Sequence, residues 1–273
     1  MSDSPEQDLK VMSDDVHALL AIELRRIALL GGGLLALWTV AVAEPLGVAS
    51  AVSWFLLALG SWGFVLWQCY RRLSLNRSAQ ASGTCYPALG HGNRITLFRG
   101  LLIAATAGYL VVSIGDVSSQ LLYAPAAFYT LAAAGDWLDG YMARRQQQTT
   151  QLGMELDTVL DAFGLLMAPA LAVLAGKLHA SYLLVSVAYY LFQWGIDWRE
   201  RQGRPVFALP PSRIRRYLAG LQMALVAIAL WPFVPASLST MVGIALMIPL
   251  LVGFCRDWLH VSGQRGEGRE RVA

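Results

Sequence analysis

The sequence predicts an all-α integral membrane protein with about eight spans. Three observations carry that prediction. Hydrophobic residues make up 56% of the 273 and charged residues only 14%, with a mean hydropathy of +0.49. The apolar residues fall in long runs parted by short polar breaks, and the basic residues sort onto one side of those runs. A soluble chain of this length would need a far more polar surface.

The apolar runs predict helices over 27–43, 48–70, 96–115, 121–144, 152–176, 180–197, 213–234 and 237–259. At about 1.5 Å per residue most can cross a hydrocarbon core of about 30 Å; the first and the 180–197 segment are short. Glu44-Pro45, Gly115-Asp116, Pro232 and Pro235 mark breaks. Before the first span, residues 9–24 carry Leu9, Met12, Val16, Leu19, Leu20 and Leu24, a pattern that suits an interfacial helix. Residues 1–13 read equally well as solvated chain. Arg25-Arg26, the apolar run and Ala41-Val42-Ala43 imitate a signal peptide, but 26 residues before the run make too long a leader, so no cleavage is expected. Gly31-Gly32-Gly33 reads as a helix-packing surface, since no strand precedes it to make a phosphate loop.

Basic residues set the orientation. Lys10, Arg25, Arg26, Arg71 through Arg99, Arg144, Arg145, Arg199 through Arg216 and Arg256 through Arg271 fall on one side, leaving Lys177 alone of the 21 Lys and Arg residues on the other. By the positive-inside rule that side is the cytoplasm, with both termini inside. A bacterial inner (cytoplasmic) membrane is the expected location. The net charge of +3 is then explained by topology and gives no reason to expect nucleic-acid binding. Cys69, Cys85 and Cys255 lie on or near the cytoplasmic side and are expected as reduced thiols. No Cys or His pair has zinc-ligand spacing.

The chemistry lies between Asp136 and Asp161, where four aspartates interrupt two apolar stretches. A carboxylate at membrane depth costs about 2.5–3.5 kcal/mol on insertion scales unless compensated, so four together call for bound cations. Asp136, Asp139, Gly140, Ala143 and Arg144 share one helical face; Gly153, Asp157 and Asp161 share one face of the next. The short polar link 145–151 predicts an antiparallel hairpin. Pairing about its midpoint sets Asp136 level with Asp161, Gly140 with Asp157, and Arg144 with Gly153. The acids then meet about 12 Å deeper than Arg144 and Gly153, and the glycines leave room for a ligand to approach backbone.

Asp136-Trp-Leu-Asp139-Gly140-Tyr-Met-Ala143-Arg144, eight residues, Gly153-x3-Asp157-x3-Asp161 resembles the CDP-alcohol phosphotransferase signature, with every position filled. The likeness runs from about Asn93 to Leu259 and implies the six-helix bundle of that family. It divides the chain into a cytoplasmic N-terminal segment (1–26), a two-helix membrane extension (27–70), a cytoplasmic linker (71–92), the transferase domain (93–259) and a cytoplasmic tail (260–273). The resemblance further implies that Asp136, Asp139, Asp157 and Asp161 hold Mg²⁺ or Mn²⁺, with two ions expected, and that Asp161 is the general base. Asn93, Thr96, Gly140, Ala143, Arg144 and Gly153 would bind the CDP donor. A homodimer is the assembly it implies.

Donor and acceptor are less sharply drawn. An all-helical membrane fold supplies the lipid-accessible groove that CDP-diacylglycerol needs, which favours it over a soluble CDP-amino-alcohol. Ala162 stands where members with phosphorylated acceptors often carry Lys or Arg, and the run through Met167-Ala168-Pro169-Ala170 looks like the phosphatidylserine synthase branch. Against that, Arg213, Arg215 and Arg216 resemble the basic element that grips an acceptor phosphate, though a topology anchor explains them equally well. An ion-coupled transporter is the rival of a different class, but it would show inverted repeats with broken helices. A membrane prenyltransferase would carry two separate Asp motifs rather than one hairpin.

Overall fold

A computed structural model describes residues 5–79, 86–112, 121, 123–145, 149–210 and 212–264; the side chains of 5–14, Trp137, Asp139, Ala143, Arg144 and Arg213 are outside that description. Among the described residues the chain is all-helical. Its eight helices are α1 (Pro5–Leu46), α2 (Val48–Tyr70), α3 (His91–Gly108), α4 (Tyr123–Arg145), α5 (Gln151–Leu174), α6 (Leu183–Arg201), α7 (Arg213–Ala229) and α8 (Ala236–Val261). Five are long and apolar enough to cross a membrane: α1 from Asp15, α2, α3 with its following turn, α5 and α8. α4 and α6 are less apolar along their length, and α7 has only 17 residues. α4 holds Asp136, Asp139, Arg144 and Arg145; α6 ends in Asp197-Trp-Arg-Glu-Arg201; α7 begins with three arginines in four residues.

Two boundaries differ from the sequence expectation. From Pro5 on, the anticipated solvated segment, interfacial helix and first span are one continuous helix, α1, which runs past Pro45. Proline in a last turn removes one donor without stopping the helix. Gly47 stops it, at φ 76°, a backbone angle that a residue without Cβ adopts freely. The second shift matters more. α3 begins at His91 rather than residue 96, so Arg99, grouped in the sequence with the cytoplasmic anchors, lies two turns inside a helix and is 1% exposed.

Two compact units make up the chain, residues 1–163 and 164–273. In the first, α3 is the central rod: 72% of its span is buried, against 17% for α1. Small residues let large ones close in. A Cβ on Gly31 of α1 would stand 2.7 Å from the Trp62 ring of α2, whose Nε1 donates to the Ala28 carbonyl at 3.3 Å. Gly108 of α3 makes the same room for Trp54, and Gly100 for Val65. Gly32 and Gly33 touch nothing within 4 Å of such a Cβ, so only the first of the three glycines packs.

In the second unit Lys177 is engaged by backbone carbonyls. Its Nζ donates to the carbonyls of Trp231, Pro232 and Val234 at 3.3, 3.0 and 2.7 Å, in the turn between α7 and α8. Ser239 of α8 donates back to the Lys177 carbonyl at 2.6 Å. Cys69 is buried and Cys255 exposed, both free thiols; Cys85 lies outside the described residues.

Candidate active site

The acidic motif sits on α4 and α5, at the helical spacings read from the sequence. One carboxylate oxygen from each of Asp136, Asp157 and Asp161 lies within 4.8 Å of the others. Their side chains are 38%, 39% and 34% exposed, so the trio opens outward. Behind it stands Arg99. Its Nη1 donates to Asp157 Oδ1 at 2.5 Å, and its Nη2 meets Asp161 Oδ1 at 2.7 Å and Asp136 Oδ1 at 3.0 Å. Nε donates to the Ala132 carbonyl of α4 at 3.1 Å. The planar guanidinium thus spends every nitrogen in one fork, a geometry a lysine cannot copy. Gly135 is what admits it: a Cβ there would fall 2.7 Å from Arg99 Cγ.

One turn before Asp157, the start of α5 is pinned by a buried polar chain. Asn93 Nδ2 donates to Asn76 Oδ1 at 3.0 Å, and Asn93 Oδ1 accepts from Thr150 Oγ1 at 3.1 Å. Thr150 Oγ1 in turn accepts the Gly153 backbone N–H at 3.0 Å. A Cβ on Gly153 would stand 2.6 Å from Asn93 Oδ1, so glycine lets α5 close on α3 there. Thr96 is buried and donates to the Gly92 carbonyl at 3.0 Å. Asn93 and Gly153 are therefore neighbours, as are Asp136, Asp157 and Asp161. Gly140 is half-buried on α4; the side chains of Asp139, Ala143 and Arg144 lie outside the described residues.

Arg215 and Arg216 are in the second unit. Arg215 pairs with Asp257 at 3.0 Å and also donates to the Pro210 carbonyl, while Arg216 is exposed. The Arg213 side chain lies outside the described residues. Arg99, Thr150 and Asn76 were not among the residues singled out from the sequence. Only Arg99 had a usable signal, a charge inside an otherwise apolar run.

An oxygen-only donor set suits a hard divalent cation. With metal–oxygen distances of about 2.1 Å, opposed ligands of one Mg²⁺ stand about 4.2 Å apart, so these three oxygens need little movement to share an ion. The pocket already accepts a positive group on its inner side. The residues present fit a divalent metal.

The model of the CDP-alcohol phosphatidyltransferase family matches residues 90–255, well over half of the chain. The chain belongs to the CDP-alcohol phosphatidyltransferase family. Among individual relatives, a CDP-diacylglycerol–glycerol-3-phosphate 3-phosphatidyltransferase of Yersinia pestis (strain Pestoides F) is 36% identical over 99 residues, covering 34% of this chain and 48% of the relative. Proteins of the same description from Sodalis glossinidius (strain morsitans) and Pectobacterium atrosepticum are 34% identical over 96 residues and 35% over 99, with the same coverage. The chain spans about half the length of the curated relatives it matches. α1, α2 and the segment up to Leu89 precede the family match in this member.

Proposed function

We propose that this member of the CDP-alcohol phosphatidyltransferase family moves a phosphatidyl group from CDP-diacylglycerol to a hydroxyl of glycerol 3-phosphate, releasing CMP. The observation that carries the reading is the convergence of Asp136, Asp157 and Asp161 inside the family's motif. The activity named for these relatives supports the donor and the acceptor. Asp139 joins the acids as a ligand in this reading, and two Mg²⁺ or Mn²⁺ ions bound there would neutralise the donor diphosphate and the charge that develops on the leaving group. Asp161 takes the proton of the acceptor hydroxyl; that oxygen attacks the phosphorus of the diacylglycerol phosphate, and the bond to the CMP oxygen breaks. Gly140, Ala143, Arg144 and Gly153 form the donor cradle. Asn93 and Thr96 shape its floor from behind.

The membrane arrangement that goes with this is eight crossings, with the hairpin turn and both termini in the bacterial cytoplasm. α7, at 17 residues, is the shortest of the eight helices, and the charges of α4 and α6 are, in this reading, those of the site and of the cytoplasmic helix ends. A homodimer in this membrane completes the reading.

A second reading differs in the acceptor. Ala162 follows the last aspartate in place of a basic residue, and Arg215 is already engaged by Asp257. Both favour an acceptor without phosphate. Purified protein given labelled CDP-diacylglycerol and, in turn, glycerol 3-phosphate, serine, inositol and inositol phosphate separates the readings. CMP and a phosphatidylglycerol phosphate product are expected only with glycerol 3-phosphate. Product with serine alone would transfer the assignment to the second reading, and CMP release with no acceptor requirement would sink both.

A further inference from the structure

The segment that precedes the family match is tied into the catalytic hairpin. From residue 76 to 79 it runs antiparallel beside the turn that opens α5, with Ser78 bridging Thr150. The Ala79 N–H donates to the Thr149 carbonyl at 2.9 Å, and the Gln151 N–H donates to the Arg77 carbonyl at 3.1 Å. Side chains reinforce the seam: Arg77 Nε donates to Gln151 Oε1 and Arg72 Nε to Glu155 Oε2, each at 2.9 Å. At its centre is Asn76, wholly buried. Its Nδ2 donates to the carbonyls of Tyr86 and Ala88, both at 3.0 Å, and its Oδ1 accepts from Asn93. α1 closes the other side, where Glu23 accepts from the Leu89 N–H at 2.9 Å and from Arg94 Nε at 2.8 Å.

A buried amide with all its donors and acceptors used is costly to disturb, because each orphaned group loses water and partner together. Asn76 fixes which way the Asn93 amide faces; Asn93 holds Thr150; Thr150 receives the Gly153 N–H at the first turn of α5. From there Asp157 and Asp161 follow at one and two helical turns. The start of α5 thus sets where two of the three carboxylates stand against Arg99 and Asp136. Shifts well under an ångström matter to ligand oxygens that must share an ion.

We propose that Asn76 is a positioning residue for the metal-dependent transfer, acting through Asn93 and Thr150, and that the extension serves this member as a strap on its catalytic hairpin. The inference rests on the transferase reading above, and it reaches residues outside the matched family region. The test uses the full-length protein in detergent, with Mn²⁺ alone as the binding probe. Folded Asn76→Ala is expected to bind Mn²⁺ about 10-fold more weakly and to lose about 10-fold in kcat with little change in acceptor KM. Amide exchange at residues 149–153 should quicken. Thr150→Val should match it, Thr150→Ser should restore wild-type values, and the Asn76→Ala, Thr150→Val double variant should be no worse than either alone. A merely structural Asn76 would lower the unfolding temperature and leave the Mn²⁺ affinity of folded protein unmoved. Mn²⁺ affinity and kcat within twofold of wild type, in folded Asn76→Ala or in Thr150→Val should the former not fold, would overturn the proposal. Wild-type protein that binds Mn²⁺ but releases no CMP would overturn the transferase reading instead, and the Mn²⁺ and exchange measurements would still judge the strap.

Discussion

Arg99→Met removes the one guanidinium that faces the acids among the described residues, while keeping a flexible apolar stem against Gly135. Breaking a buried ion pair by deleting one partner costs about 3–5 kcal/mol. The carboxylates here are a third exposed, and solvent screens part of that loss, so about 2 kcal/mol is expected in chelator. For a protein of this size that is roughly 4–8 °C in thermal midpoint. Divalent metal should recover it. If metal neutralises the acids as well as Arg99 does, the two metal-bound proteins are equally stable. The cycle then requires the variant to bind metal more tightly by the same 2 kcal/mol, about 30-fold at 1.4 kcal/mol per decade. The assay is thermal unfolding in detergent across a Mg²⁺ or Mn²⁺ titration, for wild type and variant in parallel. A variant that is equally stable in chelator, or that binds metal no better than wild type, would refute the argument that Arg99 stands in for positive charge.

Other perturbations probe the same frame. Asp161→Asn should abolish CMP release, by at least about 10²-fold for loss of a general base, while donor binding in metal persists; turnover near wild type removes Asp161 from that role. Gly135→Ala places a Cβ 2.7 Å from Arg99 Cγ, so Arg99 must shift, with a cost of about 1–3 kcal/mol for overpacking and a weakened response to metal; a variant of unchanged stability and metal affinity would show that the stem has slack. Lys177→Met removes a charged donor shared by three carbonyls, of which Trp231 keeps the Val234 N–H, and should lower stability by about 1–2 kcal/mol, the part-exposed end of the range for charged hydrogen bonds, without altering the kcat of folded enzyme; an unmoved thermal midpoint would show that solvent satisfies those carbonyls.

Much of the fold was legible because a membrane chain has few options: every backbone polar group must be bonded within the segment, so apolar runs of the right length become helices. The helices expected over 48–70, 152–176 and 237–259 stand at 48–70, 151–174 and 236–261. Errors fell at the ends, where local chemistry decides. Pro45 looked like a stop and was carried inside α1, because a helix tolerates a missing donor in its last turn better than a chain tolerates a sharp bend without glycine. The start of α3 was read too late, because His91, Asn93 and Arg94 look like loop residues. Asn93 and Arg94 enter the helix because Asn76, Thr150 and Glu23 take up their polar atoms, partners at sequence separations no local pattern reveals.

The candidate site divides along the same line. Three aspartates at spacings of four residues or across a short hairpin are a local pattern, and the geometry could be drawn before any coordinates. Arg99 could not. Counted among basic residues at a membrane border, it read as an anchor, since the positive-inside rule treats every arginine in such a region alike. Only burial distinguishes an arginine that snorkels to the headgroups from one that turns inward, and inward burial at 1% exposure is tenable because acceptors that include three carboxylates and a carbonyl receive it. The converse also holds: the acids can stand this close together because a fixed positive charge lies behind them. Each explains the other. A guanidinium inside an apolar helix that lies against an Asp-rich hairpin therefore merits reading as part of the acidic site before it is assigned to topology.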